Sequence, residues 1–397
     1  MSETTSVGVG VVGAGFLAET RARCYPRTGG VRGRIVAVVS RTRESARAFG
    51  ERHGVDHVCQ ELDELLALPE VQLVDLCVPN HLHRPFAEAA ARAGKHVVCT
   101  KPLTAYVGQD LPAEAPDEAV SATPRAQMLE LAVADAQAMV DTAKEHGVQL
   151  MYGENWVYAP SIRRASELHL ASGGVALEMR GWERHNGSHT PYSKLWRYTG
   201  GGALIRLAAH PIGAMLHLKR AEGLALDGEP VRPVAVSCEV ADLSIAAARG
   251  SSTHVATGWK DVENWGSCVI SFSDGTRGVA LGSDNQLGGM ESKLELLGSN
   301  FHLKCNLSPN DLLLSYAPED GVFGDGYMME KASTQAGWNT PIPSEDWSSG
   351  HLAMCEDFVT AVAADRPALS DGELGMEVTR VVYTAYLSAE EGRRVEL

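Results

Sequence analysis

The sequence predicts an α/β chain. A doubly wound parallel sheet comes first, followed by an α+β region built on a mostly antiparallel, open sheet. Three observations predict it. An apolar run at 7–12 passes directly into a glycine-rich turn. From that turn to about residue 153, strand-like and helix-like periods alternate. Beyond about residue 155, short strand-like runs dominate, interrupted by one helical stretch and closed by two more.

The elements follow in order. Residues 7–12 read as the first strand and 16–25 as the first helix. Ile35–Val39 is the second strand, and Arg43–His53 a helix stopped by Gly54. Leu73–Val78 is a short buried strand closed by Pro79-Asn80. Leu82–Ala93 is an alanine-rich helix with Gly94 past its end, and Val97–Thr100 is the next strand. Pro112, Pro116 and Pro124 break the rhythm, so 104–126 reads as an inserted surface loop, either without function or acting as a lid. Leu129, Ala132, Val133, Ala136, Val140 and Ala143 then keep a helical period, and Leu150–Gly153 is a further strand. The expected division is 1–153, with the insertion, and 154–397. In the second part, strands are expected at 175–182, 234–241, 267–273, 276–283, 293–297 and 301–305, with Asp274-Gly275 as a hairpin turn. Helices are expected at Ala203–Lys219, 351–364 and 373–390.

Composition narrows the functional classes. Of 397 residues, 44% are hydrophobic and 21% charged, as in ordinary globular proteins. The net charge of −15 disfavours nucleic acid and anionic membrane as partners. No run approaches the roughly 20 apolar residues of a membrane span, and the N-terminus lacks the order of a signal peptide. The eight cysteines contain no C-x-x-C pair. A reducing cytoplasm is the expected setting.

The glycine turn carries the first chemistry. G-x-G-x-x-G/A fits twice, as Gly8, Gly10, Gly13 and as Gly13, Gly15, Ala18. The motif works only at a strand-to-helix junction, where glycine lets the backbone approach a pyrophosphate and the helix start presents N–H groups. Because 7–12 is strand, Gly13, Gly15 and Ala18 are the relevant set, and the fold implied is a Rossmann domain. At the end of the second strand, an acid would accept the ribose hydroxyls of NAD. The chain has Ser40-Arg41-Thr42-Arg43 there instead, which inclines the reading of an NAD(P) site toward NADP; stacking of Arg41 on adenine would suit either nucleotide.

Two further segments suggest a reacting centre. Lys101, in Thr100-Lys101-Pro102-Leu103, leaves a parallel strand at the carboxyl edge, where ligands bind in such sheets. The plain alternative is a solvated surface lysine. The run Gly200-Gly201-Gly202 leads into a helix carrying Arg206 and His210, four apart and therefore on one face. A histidine near the start of such a helix suits acid–base work, and a satisfied structural histidine is the alternative.

These segments together resemble the Gfo/Idh/MocA oxidoreductases. The resemblance rests on Gly13-Ala14-Gly15-Phe16-Leu17-Ala18, Val78-Pro79-Asn80-His81-Leu82-His83, Ala93-Gly94-Lys95-His96-Val97, Lys101-Pro102-Leu103, the glycine run reaching His210, and the ending Ser388–Val395. It implies NAD(P)-dependent hydride transfer at a hydroxyl or ketone of a sugar, glycoside or cyclitol, assisted by Lys101 and His210. It further implies cofactor contacts from Gly13, Gly15, Phe16, Leu17, Ser40, Arg41, Pro79, Asn80, His83, Thr100 and Lys101, and from Trp196 and Arg197. Two departures stand out. Thr100 replaces the family's glutamate before the lysine, and Arg206 replaces its aspartate before the histidine. Arg206 is expected to bind an anionic substrate group, to depress the Lys101 pKa, or to turn away into an acidic neighbour.

The substrate pocket is expected to draw on Glu154, Asn155, Trp156 and Tyr158 and on His185 and His189, with aromatics of apolar face and polar tip meeting a sugar ring. His185 and His189 have a metal-like spacing, but Asn186-Gly187 interrupts it, so no metal is expected. Two other functions stay open: redox-neutral glycoside lyase or glycosidase chemistry through transient oxidation, and a non-catalytic nucleotide-binding role. A homo-oligomer, dimer or tetramer, built through the open sheet face is expected from the resemblance.

Overall fold

The structure, a computed structural model, describes residues 5–188, 190–308, 313–329, 331–332 and 334–397. The first elements are β1 (Ser6–Val12), α1 (Phe16–Cys24), β2 (Arg32–Val39), α2 (Arg43–His53), β3 (His57–Val58), α3 (Leu62–Leu66), β4 (Leu73–Leu76), α4 (His83–Arg92) and β5 (His96–Thr100). They continue with α5 (Asp117–Ser121), α6 (Arg125–Glu145), β6 (Leu150–Gly153), α7 (Pro160–Ser172), β7 (Ala176–Arg184), α8 (Trp196–Thr199), α9 (Ala209–Leu226), β8 (Pro233–Ala241) and α10 (Ser244–Ala247). The chain closes with β9 (Trp265–Phe272), β10 (Arg277–Ser283), β11 (Glu291–Gly298), β12 (His302–Asn306), β13 (Ser315–Ala317), β14 (Gly337–Asn339), α11 (Glu345–Ser348), α12 (His351–Ala364), α13 (Gly372–Glu391) and β15 (Val395–Glu396). No described helix is long and apolar enough to cross a membrane.

Two compact units result. The first comprises 5–105, Glu130–Tyr158 and Gly350–Thr379. Its sheet runs β3-β2-β1-β4-β5-β6 with every pairing parallel, the order of a doubly wound dinucleotide fold. Burial on both faces explains the unbroken apolar strands: Val9, Val11, Leu73, Val74, Val97 and Val98 have essentially no exposed surface. Helix α2 starts where Thr42 accepts the Ser45 N–H (3.2 Å) and ends at Gly54 in the left-handed region. Helix α1 is anchored from below. Arg21 lies fully buried with Nε 3.1 Å from Asp75 on β4, and Tyr25 donates to the same carboxylate (2.7 Å).

The second unit comprises Tyr106–Leu129, Ala159–Ser349 and Arg380–Leu397. Its sheet runs β12-β11-β7-β10-β9-β8-β15. All pairs are antiparallel except β7 with β10. Gly275, at φ +86°, turns β9 into β10 as the Asp274-Gly275 pair predicts. Glycines bring the helix that leads to His210 down onto the sheet. A Cβ on Gly282 would stand 2.3 Å from the Ala203 carbonyl oxygen, and one on Gly181 2.6 Å from Pro211. Two expectations need correcting. The 104–126 stretch is packed rather than a free surface loop: Tyr106 and Val107 are buried, α5 forms inside it, and α6 already begins at Arg125. Ala203–Lys219 is not one α-helix, because Leu204–Ala208 winds as a π-turn before α9 begins.

Candidate active site

In the first unit the glycine turn sits between β1 and α1. Gly13 has φ +111°, and a Cβ there would stand 2.2 Å from the Cys77 carbonyl oxygen. Its N–H donates to the Val39 carbonyl at 2.7 Å, which fixes the turn against β2. Gly15 is the N-cap of α1, no side chain caps that helix, and a Cβ on Gly15 would meet nothing within 4 Å. Space and N–H groups therefore coincide at the helix start, as a pyrophosphate requires. Phe16 beside it is exposed, Leu17 is half-buried, and Ala18 is buried where α1 packs on the sheet. Gly8 and Gly10 do different work. A Cβ on Gly8 would overlap the Glu70 carbonyl oxygen at 1.8 Å, and one on Gly10 would press on Leu65 at 2.7 Å. The earlier reading frame of the glycine motif is thus a packing feature inside β1.

Along the carboxyl edge of the same sheet, Ser40 follows β2 and receives a hydrogen bond from Ser45 Oγ (3.0 Å), while Arg41 is exposed. Pro79 is exposed and Asn80 half-buried in the turn after β4. His83 is buried and acts as a clasp. Its Nδ1 lies 3.0 Å from the Pro102 carbonyl and 3.2 Å from that of Leu103, and its Nε2 lies 2.9 Å from that of Val78. Burial pushes its pKa down, against the pull of those carbonyls. His83 thereby ties the turn after β4 to the turn after β5, where Thr100 and Lys101 are half-buried and the Lys101–Pro102 peptide is cis.

After β6 the segment 154–158 turns inward. Glu154 and Tyr158 have no exposed surface, Trp156 has 2% and Asn155 7%. Tyr158 donates to Asp357 (2.9 Å) and accepts the Ser370 N–H (2.9 Å), and its ring meets Phe358 edge-on. Its ring face is occupied by packing. The Glu154 carboxylate accepts the Trp156 N–H at 3.1 Å. Burial pushes its pKa up, against the pull of that N–H and of the Lys101 charge, to about 8.

In the second unit, charged and imidazole groups gather at the ends of β7 and β10. Arg206, in the π-turn, is ion-paired with Asp284 just past β10, and its guanidinium stands 5.2 Å over the Trp259 ring. His185 just past β7 has Nδ1 3.0 Å from the Gly187 N–H and 3.5 Å from Asp284. The parallel pairing of Ser283 with Arg184 sets Asp284 and His185 side by side. His210 Nε2 lies 3.8 Å from Glu183 Oε1. Asp284 is fully buried; burial pushes its pKa up, against the attraction of Arg206 and Lys331. Of the expected residues, Arg206 and His185 meet at one carboxylate, while His210 has its own. His189 lies outside the described residues. Sequence reasoning missed Glu183 and Asp284. Their only signal was position, at the ends of strands that run parallel to each other.

Trp196 and Arg197 have structural partners. Trp196 is buried, tilted against Tyr386 at 4.9 Å with the Arg125 guanidinium 4.1 Å over its ring, and it donates to the Tyr106 carbonyl (3.1 Å). Arg197 binds Asp117 (2.7 Å) and the Ala115 carbonyl, fastening the inserted stretch.

Comparison with known proteins adds the following. A family profile described as the oxidoreductase family with NAD-binding Rossmann fold matches residues 7–119. The chain is 27% identical to levoglucosan dehydrogenase of Pseudarthrobacter phenanthrenivorans over 54% of this chain and 51% of that protein. It is 22% identical to myo-inositol 2-dehydrogenase of Thermotoga maritima over 98% of each. The matched part spans about half the length of levoglucosan dehydrogenase, and 59% of a 1,5-anhydro-D-fructose reductase of Ensifer adhaerens. Among solved structures it is similar to GenD2 from gentamicin A biosynthesis in complex with NAD, with TM-score 0.78 and 25% identity over 100% of this chain and 98% of that one.

Proposed function

We propose that this chain, which resembles the Gfo/Idh/MocA oxidoreductases, is an enzyme that moves hydride between a nicotinamide dinucleotide and a CH–OH carbon of a sugar or related polyol. The observation that carries this reading is local to the first unit. An uncapped helix start at Gly15 and a lysine at the end of β5 lie on the same carboxyl edge of one parallel sheet.

A nicotinamide, when bound, supplies the hydride chemistry. The chain supplies the rest. Gly13 and Gly15 let the backbone meet a pyrophosphate. Ser40 and Arg41 stand where NAD-selective sites carry an acid, and this supports a site that accepts the 2′-phosphate of NADP. Lys101 takes the hydroxyl proton in oxidation and returns it in reduction. His210, backed by Glu183, orients the substrate hydroxyl. Asn155 and His185 remain the polar groups assigned to the substrate. The names of similar proteins support a sugar or cyclitol as the substrate class, and the family likeness supports a homo-oligomer.

The test is a panel of sugars, cyclitols and glycosides offered with NAD+ and with NADP+, reading nicotinamide absorbance. At least one substrate should give net reduction, faster with NADP+, and Lys101→Ala should lower its kcat by at least about 10²-fold. Product formed without net absorbance change, or a near-normal rate for the alanine variant, would overturn the reading.

A further inference from the structure

The departure of Thr100 from the family's glutamate leaves Lys101 without a carboxylate as its chain neighbour. The fold supplies one from the adjacent strand. β5 and β6 pair in parallel through Val97–Leu150, Val98–Met151, Cys99–Tyr152 and Thr100–Gly153. The next residue on each strand is Lys101 on one side and Glu154 on the other. Adjacent strands lie about 4.8 Å apart, so the two residues leave the sheet side by side at its carboxyl edge. Glu154 has no surface exposed to solvent, whereas Lys101 is half-buried. The carboxylate is fixed in place by the Trp156 N–H, and its own N–H donates to the Tyr152 carbonyl (2.8 Å) in a tight turn. Gly153 just before it is closely packed, since a Cβ would stand 3.1 Å from the Thr100 Cα and 3.1 Å from the Arg21 guanidinium. Glu154 thus leaves β6 from a closely packed turn beside the end of β5.

We propose that Glu154 is the positioning residue of Lys101, and that the two hold and pass the proton of the reacting hydroxyl as one unit. The role in proton transfer rests on the hydride-transfer reading above. In oxidation a Lys101 N–H bond breaks first and its proton forms an O–H bond on Glu154, which frees the amine lone pair. The substrate O–H bond then breaks and its proton forms a new N–H bond on that amine. The hydride leaves the same carbon for the nicotinamide. The pair begins as ammonium and carboxylate and ends as ammonium and carboxylic acid, having gained one proton. Lys101 meets the substrate, and Glu154 stores the charge change where water cannot reach it.

A proton-holding group works best when it titrates near the working pH. Lysine alone, at about 10.4, is too basic and an exposed glutamate, at about 4.3, too acidic. A fully buried carboxyl raised by desolvation and drawn back by the Trp156 N–H and one ammonium falls between them, at about 8. Lys101 faces it from the turn after β5, Tyr152 precedes it on β6 with its phenol driven up by burial and by the Glu154 charge, and Arg21 approaches Gly153 from α1. Arg21 is already engaged by Asp75. Lys101 is thus the charge to which Glu154 responds.

Infrared pH titration of the intact protein, without substrate or nucleotide, tests the pair directly. Wild type should show a protonated-carboxyl band that disappears with a midpoint near 8. Glu154→Gln should lack it. Lys101→Met, which leaves the carboxyl in place, should move the midpoint upward by about one pH unit or more, because the stabilising cation is gone. With a substrate from the panel, Glu154→Gln should lose the matching inflection in the kcat–pH profile while KM holds. A band that persists in Glu154→Gln, or a midpoint indifferent to Lys101→Met, overturns the pair. Failure of every substrate with the infrared shifts intact would instead count against the hydride-transfer reading alone.

Discussion

Arg206 is ion-paired with Asp284, which has no exposed surface and also faces His185. The cation that takes the place of an expected aspartate is thereby answered by a carboxylate from the far end of β10. The acidic neighbour that the sequence reading allowed for Arg206 is therefore Asp284.

That pairing has a measurable consequence. Removing one member of a buried pair strands the other in a low-dielectric site, so Arg206→Ala should lower the unfolding free energy by about 3 kcal/mol. Arg206→Met with Asp284→Leu should recover most of the loss, because no charge is then left behind. Urea titrations of the single and double variants check this, and strictly additive losses would show that the two residues are not coupled.

The glycine turn separates folding from binding. Gly13→Ala forces a side chain into a left-handed backbone and onto the Cys77 carbonyl, so it should lower both melting temperature and nucleotide affinity. Gly15→Ala meets open space at an ordinary φ of −92°, so stability should change by less than about 0.5 kcal/mol. Its methyl group would still crowd a pyrophosphate, and dinucleotide Kd should rise at least about tenfold. Thermal melts paired with nucleotide titration distinguish the two variants.

Acid should weaken the second unit through one buried cluster. Lys219 is fully buried between Glu222 and Asp274, and His169 lies 2.7 Å from Glu222. Burial alone would raise the Glu222 pKa, but His169, the Ala176 N–H and Lys219 together bring it below the usual carboxylate range. Asp274 is likewise lowered: burial pulls the other way, and Lys219 and Thr276 prevail. A carboxylate with a depressed native pKa adds stability above its unfolded value, and that contribution disappears as pH falls through the native value. Unfolding free energy should therefore drop below about pH 4. Glu222→Gln should start lower at pH 7 and show a shallower acid decline. An unchanged acid slope would remove the cluster from the explanation.

Much of this molecule was legible in the chain. The apolar period of β1 and the glycines after it placed the first turn, because only a strand-to-helix junction uses that spacing. Most of the strands and helices through Gly153 were legible for the same reason; β3 and α3, which are very short, and α5, inside the stretch read as a loop, were not. The Asp274-Gly275 hairpin and the two C-terminal helices were equally local. The π-turn at 204–208, which packs closely against Gly282 of β10, was not. Nor was the order of the second sheet, in which β7 pairs in parallel with a strand nearly a hundred residues away.

The candidate site divides along the same line. Sequence by itself picked out the candidate residues and the elements that carry them: Gly13 and Gly15 after β1, Lys101 after β5 and His210 on a helix. Only the tertiary structure decided their electrostatic partners. Glu154 stands beside Lys101 because two strands distant in sequence share a register, Asp284 stands beside Arg206 and His185 because β7 and β10 do, and Glu183 stands beside His210 because its helix packs on β7. A carboxylate acts on whatever charge lies within a few ångströms in a poorly screened interior, and that distance is set by packing rather than by neighbours along the chain.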